Sequence, residues 1–113
     1  MTFEQWDVVV VPFPFADRDA TRRRPALVVS RADPLGTVVG HHVLAMITSA
    51  VHRRWPLDVP IDDLAVAGLP APSVVRMKLF TLDERMIERR AGALGSQDAD
   101  TVVSALSRLL GRQ

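Results

Sequence analysis

No cysteine occurs among the 113 residues, which removes disulfides, thiolate nucleophiles and cysteine-zinc sites together and leaves packing to supply stability. Lysine is almost absent too: Lys78 stands alone beside thirteen arginines. No apolar run approaches the roughly 20 residues that cross a bilayer, and Met1-Thr2-Phe3-Glu4-Gln5 has neither the basic start nor the apolar stretch of a secretory signal. A cytoplasmic protein with no membrane contact is the expectation. The six glycines are scattered, so no glycine loop cradles a phosphate, and no nucleophile elbow announces a Ser-His-Asp hydrolase. Of the three histidines, His41 and His42 are adjacent and point to opposite faces if they lie in a strand. Neither a metal nor another cofactor is therefore expected.

What is present is a 48% hydrophobic, 24% charged chain, the balance of a soluble globular domain, and its length suits one domain spanning residues 1–113. Net charge is only +1 but is unevenly distributed. From Arg18 to Arg54 there are seven arginines (18, 22, 23, 24, 31, 53, 54) against Asp19 and Asp33, with His41, His42 and His52 in addition. Guanidinium groups offer a planar fork suited to phosphate. The location of this charge is more informative than the ratio of arginine to lysine, which a high-GC genome also produces.

Val8-Val9-Val10-Val11 reads as a buried strand, with Phe13 and Phe15 continuing an extended edge past Pro12 and Pro14. Residues Ala16 to Arg24 are polar and aperiodic, a loop longer than an ordinary hairpin connection. Pro25–Ser30 and Val43–Thr48 read as strands separated by a turn from Gly36 to Gly40. Leu57–Ile61 alternates as a half-buried strand does, Ser73–Leu82 is a clear later strand, and a short strand or turn follows around Met86-Ile87. The C-terminus reads as a helix, with Ser96 at the N-cap, Asp98 and Asp100 in the first turn, and Val102, Val103, Leu106, Leu109 and Leu110 on one face. Gly111 and Arg112 form its exit. The expected fold is mainly β: a small barrel carrying a C-terminal amphipathic helix.

With thiol, acyl-transfer and glycine-loop chemistry excluded, the basic loop fits metal-free phosphodiester cleavage. There RNA supplies its own 2′-hydroxyl, and the protein neutralises a pentacoordinate phosphorane and assists two proton transfers.

Trp6-Asp7-Val8-Val9-Val10-Val11-Pro12-Phe13-Pro14-Phe15, followed by Arg22-Arg23-Arg24-Pro25-Ala26-Leu27-Val28-Val29-Ser30, resembles the opening of the PemK/MazF-like toxins. Further matches are Ala45-Met46-Ile47-Thr48-Ser49, Ala67-Gly68-Leu69 with Pro72-Ser73-Val74-Val75-Arg76, and Leu79-Phe80-Thr81-Leu82-Asp83. The resemblance implies an SH3-like barrel of the CcdB/PemK type, a homodimer, and a type II toxin that cuts single-stranded RNA and is held inactive by a cognate antitoxin. It implies that Arg24 contacts the scissile phosphate and shares in acid/base catalysis, and that Thr48 bonds the phosphate in the transition state. Arg76 matches an arginine that some members place in the site; pairing with Asp58 or Asp83 is its alternative. Arg22, Arg23, Arg53, Arg54 and Trp55 are candidate RNA contacts, the basic-plus-aromatic combination being suited to single strands. An antitoxin is expected as an acidic and apolar segment blocking the loop from Ala16 to Arg23.

Two departures stand out. The acidic residue that some members carry two after the site arginine is replaced here by Lys78 or is deleted, so the general base is open, with Arg24 itself, His52 or a water as candidates. Trp6 replaces the common glycine before Asp7. A binding barrel without turnover and a CcdB-like gyrase poison remain the alternative functions.

Overall fold

The computed structural model describes residues 2–12 and 22–111. The expected extension through Phe13 and Phe15, the loop from Ala16 as far as Thr21 and the exit at Arg112 lie outside the described residues. Strands β1 (Asp7–Pro12), β2 (Arg23–Val28), β3 (His41–Ser49), β4 (Val59–Pro60), β5 (Ser73–Asp83) and β6 (Arg89–Ala93) form one sheet. Its order is β4-β5-β3-β2-β1-β6, and every pairing is antiparallel. Helix α1 (Leu64–Ala67) is a single turn and α2 (Ser96–Leu109) closes the chain. No described helix is long and apolar enough to cross a membrane.

Strand alternation explains the core. Val8, Leu27, Ala45, Ile47 and Val75 turn toward Ala99, Val102 and Ala105 of α2, and Val59 and Ile61 join the same cluster from the opposite side of the sheet. Because β4 and β1 share one core, the sheet curls into a half-barrel around it. The next residue in each strand faces the other way: Val9, Val11, Ala26, Val28, Leu44 and Met46 pack with Phe3 and Ile87, flanked by Phe80 and Leu82.

The small barrel and C-terminal helix are as expected, with four local corrections. The turn expected from Gly36 to Gly40 falls in a segment, Ala32–Val39, that is helical apart from the extended Asp33 and ends at Gly40 in the left-handed region, φ 72°. The turn allowed for around Met86-Ile87 is a helical one, Glu84–Met86, but strand β6 follows it unannounced. The N-cap of α2 is Gly95, and Asp98 is buried: its carboxylate accepts the backbone N–H groups of Asp62 and Asp63, tying α2 to the start of α1. Val103, Leu109 and Leu110 are exposed, since the inward stripe is built on Ala99, Val102 and Ala105.

Trp6, standing where a glycine is usual, has φ 76°, a region that L side chains occupy at a cost. Its N–H donates to Val28 O at 2.7 Å and its carbonyl accepts from Leu94 N at 2.8 Å, so ladder-like bonds to the ends of β2 and β6 hold it there. The barrel closes where backbone meets backbone: a Cβ on Gly92 would lie 2.5 Å from Val66 O, and one on Gly68, itself at φ 72°, 2.2 Å from Ala91 O. Neither neighbour is a flexible side chain. Gly92→Ala is therefore expected to cost about 1–3 kcal/mol through overpacking, read as a lower urea midpoint with an unchanged slope.

Candidate active site

Register brings the three main candidates to one face. Leu27 pairs with Ala45 and Ala26 with Met46, where the pairing of β2 with β3 ends; Arg24 lies two residues beyond Ala26 and Thr48 two beyond Met46, so both keep the face of that pair. Met46 pairs with Arg76 on β5, and Thr48 with Val74. Opposed residues of an antiparallel pair share a face, so Arg24, Thr48 and Arg76 lie on the side of Ala26, Val28 and Met46, away from α2. Arg24 pairs with Val11 across β1, near the start of the β1–β2 connection.

Arg24 is half-buried, and its Nε is buried without a hydrogen-bond partner among the described residues. An unmet buried donor of this kind costs about 1–3 kcal/mol, and a bound anion would satisfy it. Thr48, half-buried near the end of β3, brings a hydroxyl that can donate to or accept from such an anion.

Arg76 is engaged differently. Its Nε donates to Asp58 Oδ1 at 3.1 Å, its Nη2 donates to Asp58 Oδ2 at 2.9 Å and to the Arg53 carbonyl at 2.7 Å, and its guanidinium lies 4.6 Å from the Trp55 ring centre. The Asp58 side chain is wholly buried. Of the two partners considered for Arg76 the structure selects Asp58; Asp83 pairs with Arg85 instead. The connection is closed twice more, by Asp58 N–H to Trp55 O and by Trp55 N–H to Asp58 Oδ2. Leu57 sits at φ 69° inside it. This is a strained turn held by one buried arginine, with Trp55 left 44% exposed on top.

Burial opposes ionisation of Asp58, but the Arg76 and Trp55 hydrogen bonds, with the charges of Arg76 and Arg54, outweigh it and hold the carboxyl below its usual value of 3.8. A depressed carboxyl contributes stability that is complete above its unfolded value and lost as pH falls through the lower, folded one. Tm is thus expected to be indifferent to Asp58 titration near neutrality and to fall below about pH 4; Asp58→Asn flattens that acid limb, which thermal melts at stepped pH will show.

The other candidates are spread out. Arg53 and Arg54 are exposed in the Trp55 connection. His52 is exposed in the turn after β3, fixed through its backbone N–H to Ser49 O. Arg22 and Arg23 are exposed at the start of β2, and Arg23 forms an ion pair with Glu88. Lys78 lies between Arg76 and Leu79, where the β3–β5 register shifts, so it has no direct cross-strand partner. Among the described residues no three His, Asp or Glu side chains gather as a metal-ligating cluster. His42 is buried, with Nε2 at 3.1 Å from Glu84 Oε1, and serves the packing around Phe3 and Gly36. Sequence reading passed over Glu88, Arg89 and Arg90, whose charge run marks the start of β6.

Residues 4–110 match the family model described as the PemK-like, MazF-like toxin of type II toxin-antitoxin systems. The chain belongs to this family. The toxin is similar in structure to the Mycobacterium tuberculosis toxin MazF-mt6, with TM-score 0.74 and 23% identity over 95% of this chain and 98% of that one. It is also similar to MazE-MazF (Form-II) from Deinococcus radiodurans, with TM-score 0.75 and 23% identity over 100% and 99% of the chains. An endoribonuclease in complex with its cognate antitoxin from a mycobacterial species gives TM-score 0.76 and 15% identity over 99% and 96%. At these identities the structural likenesses establish the toxin fold. No curated protein gives a significant match.

Proposed function

We propose that this toxin is a sequence-specific endoribonuclease that cuts single-stranded RNA without a metal, by attack of the substrate's own 2′-oxygen. The observation that carries this reading is Arg24, a half-buried guanidinium whose Nε donor is unmet among the described residues, on the same sheet face as the Thr48 hydroxyl. Two donors on one sheet face suit the charge that builds on a phosphorane.

In this reading Arg24 binds the scissile phosphate and takes part in proton transfer, and Thr48 donates to a phosphate oxygen as charge grows. Arg76, committed to Asp58, acts by holding the Trp55 connection. Trp55 offers a stacking face to a base, Arg53 and Arg54 neutralise neighbouring phosphates, and Arg22 and Arg23 steer the strand electrostatically. His52 is left as the candidate proton carrier at the rim. The products are a 2′,3′-cyclic phosphate and a 5′-hydroxyl.

The partners in this reading are single-stranded RNA, a second copy in a homodimer and a cognate antitoxin. Family membership supports the last, as do the antitoxin complexes of similarly folded proteins. Sedimentation of the free chain tests the dimer.

The test of the activity is incubation of the purified protein with mixed RNAs in excess EDTA. Cleavage at a short recurrent sequence is expected. Intact RNA, or cleavage only after a metal is added, would overturn the reading, and DNA damage after induction in cells would redirect it to a gyrase poison.

A further inference from the structure

We propose that Lys78 is a further phosphate-binding residue of the site, placed by a bulge in β5 to hold the RNA backbone beyond Arg76; this rests on the endoribonuclease reading. Met46 pairs with Arg76, but the neighbouring residue of β3, Ala45, pairs with Leu79, so Met77 and Lys78 are in excess on β5. Bulges release side chains from the ladder and re-aim them, and they recur beside active sites.

The face on which Lys78 stands is fixed by its neighbours. The excess is an even number of residues, so alternation along β5 runs through it unbroken. Met77 packs with the core cluster on the α2 side. Arg76 lies opposite Met46 and Phe80 opposite Leu44, and those partners belong to the other cluster. Lys78, between Met77 and Leu79, therefore stands on the face that carries Arg24, Thr48 and Arg76. The register shift sets it between the levels of Met46 and Ala45, about 7–10 Å along the strand from the level of Thr48. An RNA strand held at Arg24 and Thr48 and stacked on Trp55, which rests on Arg76, is carried toward it.

Charge singles this residue out. Arg76 is paired with Asp58, Arg85 with Asp83, Arg90 with Asp7 and Arg23 with Glu88. Lys78 is half-buried and has neither a hydrogen bond nor an ion pair among the described residues. A lysine partly withdrawn from water is ordinarily matched by a carboxylate; Asp58, which reaches this face, is committed to Arg76 through both oxygens. The ammonium is a compact charge on a flexible stem, suited to a phosphate whose position is set by other groups.

Removing one phosphate contact to a single strand lowers the slope of log affinity against log salt by about 0.7. The probe is a mixed-sequence 2′-O-methyl RNA, which binds without being cut, measured by anisotropy over a salt series with the full-length protein. Lys78→Gln is expected to weaken binding several-fold at low salt and to flatten the slope by that amount. Lys78→Arg keeps the charge and should keep both, and Arg108→Gln on α2 should change neither.

Wild-type affinity and slope in Lys78→Gln overturn the contact. So does a loss that Lys78→Arg fails to restore, which would assign the effect to packing at the bulge. If Arg24→Ala abolishes cleavage while Lys78→Gln binds as wild type, the contact alone fails. If Arg24→Ala still cleaves, the underlying reading fails with it.

Discussion

Arg24→Ala is expected to lower the rate of RNA cleavage by about 10²–10³-fold, the loss typical of removing one preorganised donor to a developing oxyanion, without loss of fold. The two halves of this expectation have one origin. Arg24 Nε is buried and meets no acceptor among the described residues, so in the free protein this donor carries a desolvation cost that a bound phosphate would relieve. Truncating it removes catalysis and the cost together, and Tm stays level or rises. Arg24→Lys is not expected to rescue, because an ammonium lacks the planar fork. Thr48→Val should reduce the rate with Tm preserved, and Thr48→Ser should restore much of it by returning the hydroxyl. Single-turnover kinetics beside thermal melts separate these outcomes; a fall in rate that tracks a fall in Tm would mean the residues are structural.

Asp58→Ala should be the most destabilising change in the site, at about 3–5 kcal/mol, because it leaves the Arg76 guanidinium buried without its counter-charge. The double variant Asp58→Ala with Arg76→Met should lose clearly less than the sum of the single changes, since it buries no orphaned charge. Urea unfolding of the four proteins in the cycle measures this coupling. Additive losses would mean that the pair, despite its two-pronged geometry, does not act as a unit. The connection from Arg53 to Asp58 should also loosen, so RNA affinity should fall further than stability alone explains. The ion pair of Asp83 with Arg85, which also holds the Asp83 carboxyl down, is open to solvent and should matter little to stability.

Much of the fold was legible because its inner strands are β-branched and alternate. Val8–Val11, Leu27-Val28 and Val43–Thr48 announce themselves, and both faces of the sheet find apolar cover. Strand β6 was not legible: Arg89-Arg90-Ala91-Gly92-Ala93 has neither β propensity nor alternation. It is a strand because β1 presents a free edge and Gly92 lets the chain approach α1. The helical segment Ala32–Val39 was hidden by Pro34, Gly36 and Gly40, which punctuate a sequence like a turn.

Arg24 and Thr48 were found through family motifs; that they share one face of the sheet follows from register, which strand patterns do not reveal. The missing carboxylate beside Arg76 was sought two residues along β5, at Lys78. The structure supplies Asp58 from the preceding connection, and commits it to holding the arginine rather than leaving it free to move a proton.

The central claim, that RNA supplies its own nucleophile to a phosphate held by Arg24 and Thr48, is tested most directly on the substrate. Once a cleavage site has been mapped, an oligonucleotide carrying a single 2′-deoxy sugar on the 5′ side of the scissile phosphate should bind as the all-ribose strand does and remain uncut, while the all-ribose strand yields a 2′,3′-cyclic phosphate and a 5′-hydroxyl. Cleavage of the 2′-deoxy strand at the same bond would contradict it.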